Sequence, residues 1–108
     1  MSNHLNIIVE FKGGMELLFD NVTKKELSLP VNSGEDGSAP VEWTIKDLIN
    51  HLKEKHLKER PELFVNDDSI RPGVLILVND VDWEILGENE YKLADGDKVL
   101  FISTLHGG

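Results

Sequence analysis

The chain has 108 residues, twenty Asp and Glu against eleven Lys and Arg, a net charge of −9 and no cysteine. That length fits one domain able to bury a core without staples, and the missing cysteine excludes disulfides, thiolate metal sites and a cysteine nucleophile. The acidic balance argues against direct nucleic-acid binding, which needs clustered Lys and Arg, and no run approaches the ~18 apolar residues of a membrane span.

Residues 4–11 read as a strand. Gly13-Gly14 then predicts a tight turn, because glycine supplies the positive φ that hairpin turns require, and residues 15–19 predict the returning strand of an opening hairpin. Residues 24–31 predict a short extended piece, with Leu27, Leu29 and Val31 alternating against polar neighbours. Residues 32–40 are turn-formers throughout and predict an exposed, mobile loop within the domain. Thr44 starts the main helix, with Asp47 three residues on as the reciprocal partner of a capping box. Ile45, Leu48, Ile49 and Leu52 recur at helical spacing and define one buried stripe. The helix stops before Pro61, whose ring disfavours helical geometry at Arg60. Leu57, Leu63, Phe64 and Val65 follow as an irregular stretch packed on the core.

Arg71-Pro72-Gly73 breaks the chain before a continuous apolar run, residues 74–78, which predicts a central strand covered on both faces. Asn79-Asp80 predicts a turn into Val81-Asp82-Trp83, and Asp95-Gly96 another turn. Residues 98–103 predict the last strand. The order hairpin, helix, strands suits a mixed sheet of four to five strands packed on one main helix. This is the α+β architecture of the β-grasp, or ubiquitin-like, fold, with the first and last strands as central neighbours. The domain is expected to span residues 1–103, and residues 104–108 to form a flexible Gly-Gly tail.

Self-contained catalytic chemistry is poorly represented. His4, His51, His56 and His106 are the candidate bases or ligands. At about 3.6 residues per turn, His51 and His56 should point apart, and zinc-binding histidines on a helix usually sit four apart. No metal or bound cofactor is expected. Asp80, Asp82 and Glu84 alternate, but flank a turn and should be hydrated. Trp43 and Trp83 are read as packing residues. Lys53, Lys55, Lys58 and Arg60 alternate with Glu54 and Glu59 as a solvated face. No phosphate loop or nucleophile elbow is present.

These exclusions leave the end of the chain. Gly107-Gly108 is thin and conformationally free, so it can thread into another protein's active site. The carboxylate of Gly108 has a pKa near 3.3–3.7 and is a poor electrophile when ionised. Another enzyme must activate it, by adenylation with ATP. A lysine amine could then attack to form an amide, or a persulfide to leave a thiocarboxylate.

Leu57-Lys-Glu-Arg-Pro-Glu-Leu-Phe64, Ser69-Ile-Arg-Pro-Gly73, Val78-Asn-Asp80, Asp82-Trp-Glu84 and the ending Ser103-Thr-Leu-His-Gly-Gly108 together resemble the ubiquitin-related modifier 1 family. The likeness is strongest from Trp43 onward, and the loop at 32–40 looks longer than the family's. The resemblance implies a non-enzymatic β-grasp protein whose Gly108 is adenylated and thiocarboxylated by a ubiquitin-activating-type enzyme carrying a rhodanese domain. That enzyme would use ATP and a sulfur donor, and would recognise the tail through Thr104, Leu105, His106 and Gly107. A tRNA thiolase complex would then pass the sulfur to the wobble uridine of cytosolic tRNAs. The resemblance also implies isopeptide attachment to lysines of target proteins, with peroxiredoxins as candidates, in oxidative stress. The implied protein is a monomer of the cytoplasm, with the nucleus as a further compartment. Two alternatives stay open. One is a non-covalent ubiquitin-like interaction domain, and the other a small sulfur-carrier subunit of a heteromeric enzyme.

Overall fold

The computed structural model describes residues 4–31, 42–58, 60–66 and 69–103. The loop expected at 32–40 lies outside them. The chain opens with strand β1 (His4–Lys12), in which Ile7, Val9 and Phe11 are buried and their neighbours face outward. Gly13 and Gly14 both take positive φ, 68° and 99°. They do not return a strand. Residues 15–19 form a 3₁₀ helix (Met15–Phe19), which corrects the expected hairpin. The buried positions are Met15, Leu18 and Phe19, with Leu17 turned to solvent. That spacing of three and four is helical, whereas a strand buries every second residue. The antiparallel partner of β1 is instead β2 (Lys24–Pro30), where Leu27 and Leu29 face the core as their alternation predicts.

Helix α1 (Ile45–Lys55) begins as the sequence predicts. The Thr44 hydroxyl accepts from the Asp47 N–H at 3.2 Å, and the Asp47 carboxylate accepts from the Thr44 N–H at 3.0 Å, closing the capping box. Ile45, Leu48, Ile49 and Leu52 are all buried. The helix ends five residues earlier than Arg60, where His56 leaves helical geometry at φ −123°. Lys58 then donates its N–H to the Leu18 carbonyl at 2.9 Å, tying the exit of the helix to the 3₁₀ segment. Phe64 is buried, with Leu57, Leu63 and Val65 packed partly exposed around it. Two short strands, β3 (Val65–Asn66) and β4 (Ser69–Ile70), pair with each other.

Strand β5 (Val74–Val78) turns through Asn79 and Asp80 into β6 (Val81–Asp82). Both turn residues have positive φ, 51° and 69°, the conformation that two-residue hairpin turns use and that Asn and Asp tolerate. Trp83 is not extended. It starts a one-turn helix, α2 (Trp83–Leu86), capped by the Asp82 carboxylate. The last strand is β7 (Lys98–Ser103).

The five-stranded sheet has the order β2-β1-β7-β5-β6. β7 is its middle strand, parallel to β1 and antiparallel to β5. α1 covers one face, as the β-grasp reading requires. All four phenylalanines meet beneath it. Phe11 stacks on Phe19 at 4.1 Å between centroids, and Phe64 touches both Phe19 and Phe101. Among the described residues, no helix is long and apolar enough to cross a membrane.

Candidate functional site

The five residues expected to carry or guide the chemistry, Thr104, Leu105, His106, Gly107 and Gly108, lie outside the described residues. What the structure defines is the base from which they leave. β7 ends at Ser103, which pairs with Val74, the first residue of β5. On the other side, Ile102 sits level with Lys12 at the end of β1. Gly13 packs so closely here that a Cβ would lie 2.5 Å from the Ser103 carbonyl oxygen. Only a residue without a side chain fits that approach, so the turn after β1 clamps the end of β7. The chain therefore leaves the middle of the sheet from a firmly held strand.

Beside this point the sheet presents an apolar strip on the face away from α1. Leu75 pairs with Ile102, and Leu77 with Leu100. These positions alternate with the buried Val74, Ile76, Val99 and Phe101, so they project to the opposite side. Leu100 is only 8% exposed, yet it is not part of the core cluster; its neighbours on the open face shield it. The expectation that β5 is covered on both faces is thus corrected. One face is covered, and Leu75 and Leu77 are half-buried. Charges border the strip: the Lys98 ammonium lies 4.0 Å from the Glu10 carboxylate and 3.5 Å from that of Asp80. Leu17, on the 3₁₀ helix that touches β7, is 59% exposed.

The family model of Urm1, the ubiquitin-related modifier, matches residues 6–108. Over 108 residues, covering both chains in full, the sequence is 55% identical to ubiquitin-related modifier 1 of Bos taurus and 53% identical to that of Gallus gallus. The chain belongs to the ubiquitin-related modifier 1 family. The solution structure of Urm1 from Trypanosoma brucei matches with a TM-score of 0.77 and 45% identity, covering both chains in full. A chain of the Amycolatopsis orientalis BexX/CysO complex shares the fold, with a TM-score of 0.64 and 17% identity over 94% of this chain and 99% of its own.

The other sequence candidates separate. Asp80, Asp82 and Glu84 do not converge: Asp80 pairs with Lys98, while Asp82 accepts from the Glu84 N–H at 2.9 Å as a helix cap. Trp83 is buried, and Trp43 is half-buried with its indole N–H donated to the Pro30 carbonyl at 2.8 Å. His51 and His56 do not point apart. Their Nε2 atoms are 3.3 Å apart, because His56 has left the helix and its ring swings back. Burial lowers both pKa values; nearby lysines lower them further, and Glu54 opposes this at His51. No group of three or more His, Asp or Glu able to hold a metal occurs among the described residues.

The sequence reading missed Asp97, the one buried charged side chain among the described residues. It accepts from the Tyr91 hydroxyl at 2.8 Å, the Ala94 N–H at 2.9 Å and the Asn79 amide at 2.9 Å. Burial, reinforced by that bond to Asp97, pushes the Tyr91 hydroxyl up to about 12. The role is structural: the carboxylate joins the β5–β6 turn to the segment leading into β7. Its position beside Gly96 in a turn was the available signal, but nothing local names its partners.

Proposed function

We propose that this chain is a sulfur carrier and protein modifier whose reacting group is the Gly108 carboxylate. Family membership through residue 108 is the observation that carries the reading. The first step is adenylation by a ubiquitin-activating-type enzyme with a rhodanese domain. A Gly108 carboxylate oxygen attacks the α-phosphorus of ATP and pyrophosphate leaves. A persulfide on the enzyme then attacks the carbonyl carbon and expels AMP. Cleavage of the resulting acyl disulfide by a second thiol releases the thiocarboxylate. Because the chain has no cysteine and the thioethers of its two methionines are not sulfur donors, the transferred sulfur comes from another molecule.

A tRNA thiolase complex takes that sulfur to the wobble uridine of cytosolic tRNAs. In the second role, a lysine amine of a target protein attacks the activated Gly108 and forms an isopeptide bond. The setting is the cytoplasm. The fold itself has no need of a cofactor, since ATP and the sulfur donor are consumed by the activating enzyme.

The open face beside the end of β7 supports this reading as the docking surface. Leu75, Leu77, Leu100 and Ile102 give the activating enzyme an apolar patch adjoining the emerging tail. The neighbour in the BexX/CysO complex has this same fold.

Incubation with ATP, the activating enzyme and a sulfur donor should replace one terminal oxygen by sulfur, read by intact mass. An unchanged mass, with the same enzyme active on a control carrier, sinks the proposal. Deleting Gly108 should abolish the reaction and leave the denaturation midpoint unchanged.

A further inference from the structure

Although the chain carries a net charge of −9, one corner of the fold collects positive charge. A recess of about 90 Å³ opens there, with Phe11, Phe19 and Val22 as its apolar wall. That is several times the ~15 Å³ a single water needs. Asp20, Lys25, His56 and Lys58 complete the lining. The recess is well braced. Phe11 stacks on Phe19, the Phe11 N–H bonds to the Thr23 carbonyl at 2.9 Å, and Lys58 is anchored to Leu18. Register sets Lys25 opposite Val9, on the helix-bearing side of the edge strand β2.

Among the described residues, the ion pairs involve Arg60, Lys92 and Lys98, and neither Lys25 nor Lys58 is part of one. Among the described residues, Asp20 is the only carboxylate in the lining. Burial is the main cause of the lowered His56 pKa, and Lys25, His51 and Lys58 add to it. The three basic groups therefore face one another across a small volume.

We propose that this recess binds a small tetrahedral oxyanion of the sulfate or phosphate type, held by Lys25, Lys58 and the His56 imidazole. The anion relieves the repulsion among the basic groups and adds a negative charge beside His56. A protonated imidazole donates from both ring nitrogens. One keeps the 3.3 Å bond to His51, and the other is free for the anion. A divalent metal fits the corner less well. Two imidazoles on one zinc ion also sit about 3.3 Å apart, given bonds of about 2.0–2.1 Å in a tetrahedron. However, no third ligand completes such a site among the described residues, and Lys25, Lys55 and Lys58 repel a cation.

The test is a proton NMR titration of the imidazole resonances of the full chain, in sodium sulfate against sodium chloride at equal ionic strength. Sulfate is a tetrahedral dianion that does not titrate in this range. It should raise the His56 pKa by about one unit, the scale of one opposite charge at close range. Lys25→Gln and Lys58→Gln should each reduce the shift severalfold, and Asp20→Asn should enlarge it. Equal midpoints in the two salts, or a shift that persists undiminished in both lysine variants, overturns the proposal. The amide spectrum of each variant checks that the fold is intact. Repeating the titration with inorganic phosphate and with O-phosphoserine separates a free anion from a phosphorylated side chain. A response to either supports the site, and silence to both, like silence to sulfate, refutes it.

Discussion

On the helix side of the sheet, Phe11, Phe101 and Ile76 lie side by side in register and are sealed from water. On the other side, Leu75 and Ile102 lie side by side on the same strands and keep part of their surface in solvent. Both rows are apolar and both draw on β5 and β7, with Phe11 of β1 extending the first, so composition cannot explain the difference. α1 does, by covering one row and leaving the other. Burial on the helix side removes apolar area from water and stabilises the fold at roughly 25 cal/mol per Å². The open row gains only part of that stabilisation. Its apolar character is available to a partner, and it adjoins the place where the tail emerges.

Substitutions can separate these two faces. Phe101→Ala should destabilise the domain by about 3–5 kcal/mol through lost burial and a residual cavity, measured by urea denaturation. Leu75→Ser on the open face should cost only about 1 kcal/mol while slowing the proposed thiocarboxylation. Equal losses of stability would erase the distinction. Gly13→Ala should fall between these two, at about 2 kcal/mol, because φ is 68° and the added Cβ meets the Ser103 carbonyl. Retained midpoint there would show that the clamp on β7 is loose. Thr44→Ala should cost about 1 kcal/mol through loss of the cap, and Thr44→Ser should restore most of it.

The smallest effect concerns pH. The folded pKa values of His51 and His56 lie below the ordinary 6.5. In the window between those lowered values and 6.5, the unfolded chain binds more protons than the folded one, so stability rises with pH. It is fully present above pH 6.5 and declines as pH falls below that point. A His51→Gln, His56→Gln variant should show a flatter stability profile than the parent from pH 7 to pH 5. Identical slopes would mean that the pair contributes nothing to the linkage.

Local chemistry made much of this fold legible in the sequence. The capping box at Thr44 and Asp47, the helical stripe from Ile45 to Leu52 and the turn at Asn79-Asp80 each depend on neighbours within a few residues. The errors arose where distance along the chain matters. Residues 15–19 are apolar enough for either structure, and what decides is that Met15, Leu18 and Phe19 reach the core together. The run at 74–78 reads as covered on both faces because periodicity cannot say how many helices pack on a sheet. The meeting of His51 with His56, and of His56 with Lys25, depends on where α1 ends and how β2 registers against β1. Of the proposed site, the sequence displays the tail directly as a glycine-rich end. The apolar strip beside it was not legible, because Leu75, Leu77, Leu100 and Ile102 become neighbours only through the pairing of β5 with β7.

The parallel pairing of β1 with β7 also bears on mechanical strength. A load drawn between His4 and Ser103 pulls parallel neighbours in opposite directions along their length. All the hydrogen bonds between Ile8–Lys12 and Lys98–Ile102 then resist at once in shear, instead of opening one by one. The domain can therefore be stretched hard between its first and last strands before they part.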